Sequence, residues 1–262
     1  MDSARPIAPG PDDPAPDDAA PSDPPRGGRW LTAPRGGFTG ELLVVVLGVL
    51  IALAVSEAAD MVRWQMRVSK ANLAIRSELA RAAGVFEERN LVQPCLVRRL
   101  AQLDTVLRAA RRSGRLPQIG KFGRPPIRPV EQTAWEMTSS SETLLHLKER
   151  DRIALVAIYA QLDGSRDQAI EEQDLWATLG LLENAPGPIA SDLLAEASTA
   201  LEQLKFRTML GGVNAGQLLT AIQQEGVAPS YWMVFGREAG RGELLASVAE
   251  RHICRPLQVQ EP

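Results

Sequence analysis

Hydrophobic side chains follow three regimes along this chain. The stretch Leu42–Val55 (LLVVVLGVLIALAV) is unbroken and apolar on every side, and eight of its first nine residues are leucine or valine. Beyond it, Trp64, Val68, Ala71, Ile75, Leu79, Ala82 and Phe86 recur at steps of three and four. That spacing draws one stripe along an amphipathic helix. Arg63, Arg67, Lys70, Arg81 and Glu88 fall on the opposite, solvent-facing side. A further seam runs through Leu96, Leu100, Leu103, Leu107 and Ala110, and Pro94 suits the first turn of a separate second helix.

The pattern then lapses. Gly114–Pro129 (GRLPQIGKFGRPPIRP) holds four prolines and three glycines, which predicts a long loop. Loops of that length are usually functional or mobile. Helical spacing returns over Val130–Met137 and again after Ser141. From Leu144 to Leu182 a core face includes Leu155, Tyr159, Leu162, Trp176 and Leu179, with an interruption near Gly164. The run Asn184–Pro188 (NAPGP) breaks it. Ile189–Leu210 predicts another helix, ended by Gly211 and Gly212 as left-handed caps. Asn214 with Gln217 resembles a capping box for a short helix ending near Gly226. A last helix is expected from about Arg237 to His252, before Pro256. No alternating apolar pattern bounded by hairpin signals and no fixed-length repeat occurs. The fold class expected is therefore all-α: a disordered tail over 1–37, a transmembrane helix over 38–62, and an antiparallel helical bundle over 63–262. Composition agrees, being rich in Ala, Leu, Glu, Gln and Arg, the residues that form helices most readily.

The apolar run decides location. Its fourteen residues would span roughly 21 Å of helix, short of a hydrocarbon core of about 30 Å. Extension from Gly37 to Val62 supplies the length and takes in Glu41, Glu57 and Asp60, which can reach headgroups near the ends. Trp64 would meet the far interface. The alternative is a helix buried in a soluble core; the lack of any polar face favours lipid. Met1–Pro25 carries eight prolines and six aspartates and reads as disordered. Because the basic cluster Arg26, Arg29, Arg35 lies far from Met1, an uncleaved signal anchor fits better than a cleaved signal peptide. Positive charge is nearly balanced across the run, with Arg63, Arg67 and Lys70 on the other side. A long C-terminal domain can cross regardless of its charge. We expect a cytoplasmic N-terminus and a periplasmic domain. Gly48 and Ala52 give a small-xxx-small spacing that could bring two anchors together as a homodimer, or simply face lipid.

Candidate chemistry is sparse. Cys95 and Cys254 lack the spacing of a zinc or redox motif, which leaves a disulfide or two buried thiols. A bond would require an oxidising compartment. Nine Arg or Lys against one acid, Asp104, fill Arg98–Arg128. Arg111, Arg112, Arg115, Lys121 and Arg124 within it are candidates for lipid-headgroup contact, or a solvated face with partners elsewhere. Nucleic acid is not an expected partner: the net charge is -3, and the run lacks stacking aromatics apart from Phe122. Glu171, Glu172 and Asp174 suggest a metal site, but Glu171 and Glu172 diverge by about 100° on a helix and no His joins them, so a solvated face is expected. No catalytic set, cofactor fingerprint or metal motif emerges; cofactor-binding, metal and catalytic residues are each read as none.

Glu41–Ala54 (ELLVVVLGVLIALA), followed by a charged helix, resembles the anchor of uncharacterised bacterial single-pass inner-membrane proteins, which show an acidic residue followed by VVxGVLIAL. Pro94-Cys95 to Arg99 and Cys254-Arg255-Pro256-Leu257 look similar to alphaproteobacterial members. The resemblance implies an inner-membrane location and a helical extracytoplasmic region, and it carries no activity or site residues. The function expected is a membrane-anchored helical protein that binds a ligand or protein partner. The rivals are a membrane-associated enzyme with Gly114–Pro129 as a lid, and a sensor whose anchor helix runs unbroken into the domain.

Overall fold

The computed structural model describes residues 38–260; the tail over 1–37, with Arg26, Arg29 and Arg35, lies outside them. The chain divides into two compact units, Met1–Val55 and Ser56–Pro262. The described part of the first is the apolar opening of helix α1, Phe38–Ser113. Leu42, Val44, Leu47, Leu50 and Val55 are all more than half exposed, and the apolar window of this helix has none of its residues buried. It is the one described helix long and apolar enough to cross a membrane.

The second unit is the helical bundle expected from the sequence. It contains the rest of α1 and α2 (Thr133–Ser139), α3 (Glu149–Gly180), α4 (Ser191–Gln224), α5 (Trp232–Phe235) and α6 (Arg241–Glu250). Two apolar clusters make its core. One joins Ile75, Leu79 and Phe86 of α1 to Leu155, Tyr159 and Leu162 of α3 and to Ala215, Leu218 and Ile222 of α4. The other joins Leu96, Leu103 and Ala110 to Trp176 and Leu179 and to Ala197, Leu201 and Leu204. Numbers rise together on α1 and α3 and fall on α4. The first two helices therefore run parallel, and α4 runs antiparallel to both. A parallel pair needs a long return, and residues 114–132 supply it. Leu116, Ile119 and Phe122 belong to the second cluster and Val130 packs on the first, so the segment travels back along the bundle.

Three expected boundaries are absent. Pro94 lies inside α1 instead of opening a second helix, so Cys95 sits in mid-helix. Gly164 does not interrupt α3. Gly211 and Gly212 do not end α4, because neither takes up the left-handed backbone that a cap requires. Instead α1 approaches there: a Cβ on Gly212 would lie 2.6 Å from Gln93 Cδ, and one on Gly211 would lie 3.0 Å from Arg89 Nη2. Two-residue strands also occur where only loop was expected. In the antiparallel pairs, β1 (Arg115–Leu116) meets β3 (Gly187–Pro188), and β2 (Gln118–Ile119) meets β4 (Val259–Gln260). The final helix is shorter than expected, followed by a 3-10 turn at His252–Cys254. Trp64, read as an interfacial ring, stacks on His146 with centroids 3.8 Å apart, and the Arg67 guanidinium lies 4.8 Å from its centre.

Candidate functional site

Between the two apolar clusters the bundle has a polar layer. On α1 it falls at Glu87, Glu88 and Arg89, on α3 at Gln168 and Glu172, and on α4 at Thr208 and Asn214, each between the apolar stripes just described. Arg89 Nη2 donates to Glu172 Oε1 at 2.9 Å, and the same oxygen accepts from Thr208 Oγ1 at 2.8 Å. Asn214 Nδ2 donates to Gln168 Oε1 at 2.7 Å. Gln93 Nε2 donates to the Thr208 carbonyl at 2.8 Å, across the gap that the two glycines leave open. Burying such groups is tolerable only because each meets a partner. Glu172, expected on a solvated face beside Glu171, is buried: the 100° between them sends Glu171 outward to Arg207 and Glu172 inward.

Glu88 was likewise expected outside and is buried. Arg128 approaches it from the return segment with Nε at 2.6 Å and Nη2 at 3.0 Å, and Arg251 reaches it from beyond α6. Neighbouring Glu87 accepts from Tyr231 Oη at 2.6 Å and from Arg241 Nε at 2.5 Å. Burial, then the hydrogen bond and charge of Glu87, push the Tyr231 phenol up to about 12. Lower in the bundle, Glu78 accepts from the backbone N–H of Ala134 and from Tyr159 Oη. The Tyr159 ring lies flat on Trp135 with centroids 4.7 Å apart. Burial, then Glu78, raise this phenol far above its ordinary range.

A cavity of about 490 Å³ opens against the polar layer. Phe86 and Leu162 belong to its wall, Ala169 and Ala215 face it from α3 and α4, and Pro125–Pro129 of the return segment lie over it. The proline spacing that marks this segment as a loop also keeps it extended, and Arg128 fastens it to Glu88. Arg89, Gln168, Glu172 and Asn214 contribute the polar side. Volume and character match sites that take small molecules. The sequence had offered Phe86 and Leu162 as core, Glu172 as a solvated acid, Asn214 as a helix cap and Gly114–Pro129 as the lid of the rival enzyme, but it did not bring them together at one cavity. The available signal was the charged run Glu87–Arg89 inside an otherwise apolar stripe.

Cys95 and Cys254 are joined by a disulfide across 159 positions. Beside it Arg99 is almost wholly buried and donates to the carbonyl oxygens of His252, Ile253 and Arg255. Burial, then the charge of Arg98, push its guanidinium below the usual value. Bond and clamp together hold the end of the chain against α1. Gly48 and Ala52 are exposed, and a Cβ added at Gly48 would meet nothing within 4 Å among the described residues. Arg111, Arg112, Arg115, Lys121 and Arg124 are also exposed, and Arg111 donates to Ser198 Oγ at 3.0 Å. Among the described residues, no group of three or more His, Cys, Asp or Glu side chains is arranged to hold a metal ion. No family model, curated protein or solved structure matches the chain.

Proposed function

We propose that this is a single-pass inner-membrane protein, with a cytoplasmic N-terminus and a periplasmic helical domain that binds a ligand. The reading rests first on the apolar helix opening: a stretch this greasy, left uncovered by the other described residues, matches lipid as its solvent. The Cys95–Cys254 disulfide supports an oxidising compartment for the domain. The likeness of Glu41–Ala54 to anchors of bacterial single-pass inner-membrane proteins agrees with that location. Gly48 and Ala52, both exposed, leave a face for a second anchor. Binding is favoured over catalysis because Arg89 and Glu172, and Gln168 and Asn214, are already engaged with one another. A sensor is the second reading. It is favoured by the unbroken α1, which carries both the apolar stretch and three cavity residues, Val85, Phe86 and Arg89.

Thiol labelling tests the topology. An impermeant maleimide should leave intact spheroplasts unlabelled until reductant is added, and then modify Cys95 and Cys254 from outside. Labelling without reductant, accessible only from the cytoplasmic side, would overturn both topology and bond.

A further inference from the structure

We infer that the cavity over the polar layer takes a neutral hydrophobic molecule bearing one hydroxyl or carbonyl oxygen. This deepens the binding reading but does not depend on which side of the membrane the domain occupies. Apolar side chains from three helices, including Phe86, Leu162 and Ala215, face the space, and Ile127 is half-exposed in its roof. The charged side chains of the lining that are not exposed are paired, Arg89 with Glu172 and Arg128 with Glu88, whereas Glu131, Glu136 and Arg166 are exposed to solvent. An ion seated against the polar layer would have to break one of those partly buried pairs, which costs more than it returns. One polar atom is left over. Ser165 Oγ on α3 is enclosed, belongs to the lining, and has no hydrogen-bond partner among the described residues. An enclosed hydroxyl without a partner carries a desolvation cost that a ligand oxygen would relieve. An apolar body satisfies the walls and a single oxygen satisfies Ser165.

An acyl ester of a membrane lipid and a free hydrophobic alcohol share that chemistry. The test uses the full-length chain in lipid nanodiscs with two diazirine probes, a fatty-acyl methyl ester and a geraniol analogue, and maps cross-links by mass spectrometry. Cross-links are expected in peptides covering 125–130 and 162–173, with saturation and competition by excess unlabelled probe. Dominance of the acyl ester assigns the site to lipid, and dominance of the alcohol assigns it to a free molecule. Ala169→Trp, which fills the space, should cut the yield at these peptides by about tenfold. Because that variant could misfold, Ile127→Asp provides a second check at an exposed roof position. It should also lower the yield while leaving the thermal unfolding midpoint unchanged. Cross-links confined to peptides from 42–55, or pocket yields that neither variant changes, would overturn the inference. A failure here leaves the thiol-labelling result untouched, and the reverse holds too.

Discussion

Glu88 gathers two arginines in the interior, Arg128 and Arg251, and its side chain is 1% exposed. Removing it strands both guanidiniums. Glu88→Ala is expected to destabilise the domain by roughly 3–5 kcal/mol, read from the urea midpoint, because an uncompensated buried charge costs that much. A change below about 1 kcal/mol would mean the pairs are solvated, as surface pairs are. Nothing local in the sequence announces this carboxylate as buried, since its partners lie 40 and 163 positions away. Helical spacing put it opposite the stripe that ends at Phe86, and only the return segment and the end of the chain cover that side. Tyrosine offers a second check. Tyr231, with a folded value of about 12 against an ordinary value near 10, favours its protonated form in the native state. Its contribution to stability is complete below pH 10 and is lost as the pH rises from there through 12. Tyrosinate absorbance should therefore appear late and together with unfolding; titration of both tyrosines near pH 10 in a folded chain would contradict the buried Glu87 and Glu78 contacts.

At the scale of elements, the apolar periodicity located the helical faces well. Ile75, Leu79, Ala82 and Phe86, then Leu96, Leu100, Leu103, Leu107 and Ala110, are all buried as the spacing requires. The errors came where the pattern stopped. Pro94 was read as the start of a second helix, Gly164 as an interruption and the pair at 211–212 as a helix end. Gly164 and the pair at 211–212 flank the polar side chains Gln168, Thr208 and Asn214, and Gly212 faces Gln93, the residue before Pro94. A lapse in hydrophobic period looks the same locally whether a helix ends or crosses a polar layer, and only the neighbouring helices distinguish the two. The glycines separate by what surrounds them. Gly84 lies under the 227–231 segment, and a Cβ there would stand 1.9 Å from the Ser230 carbonyl oxygen. Gly84→Ala should cost about 1–3 kcal/mol through overpacking. Gly164 faces open space inside α3, so Gly164→Ala should stabilise by about 0.5–1 kcal/mol from helix propensity alone. Thermal unfolding of the two variants in parallel checks both signs.

Across the whole molecule, sequence distinguished the apolar opening, the helical class and the two cysteines, because each rests on composition or on pattern within a few turns. It did not give the parallel course of α1 and α3, which depends on where the return segment packs. The disulfide closes a loop of 159 positions, and its loss should lower stability by up to roughly 5 kcal/mol in the chain-entropy picture. Cys254→Ser, followed by denaturant unfolding, measures this, with Arg99 left to hold the carbonyls of the final turn. All of these expectations concern a domain whose setting is fixed by Leu42–Val55. Alkaline carbonate extraction of membranes carrying the full chain tests that setting most directly. The protein should stay in the pellet and leave it only with detergent. Release into the wash as a monodisperse soluble species would show that the stretch does not cross a bilayer.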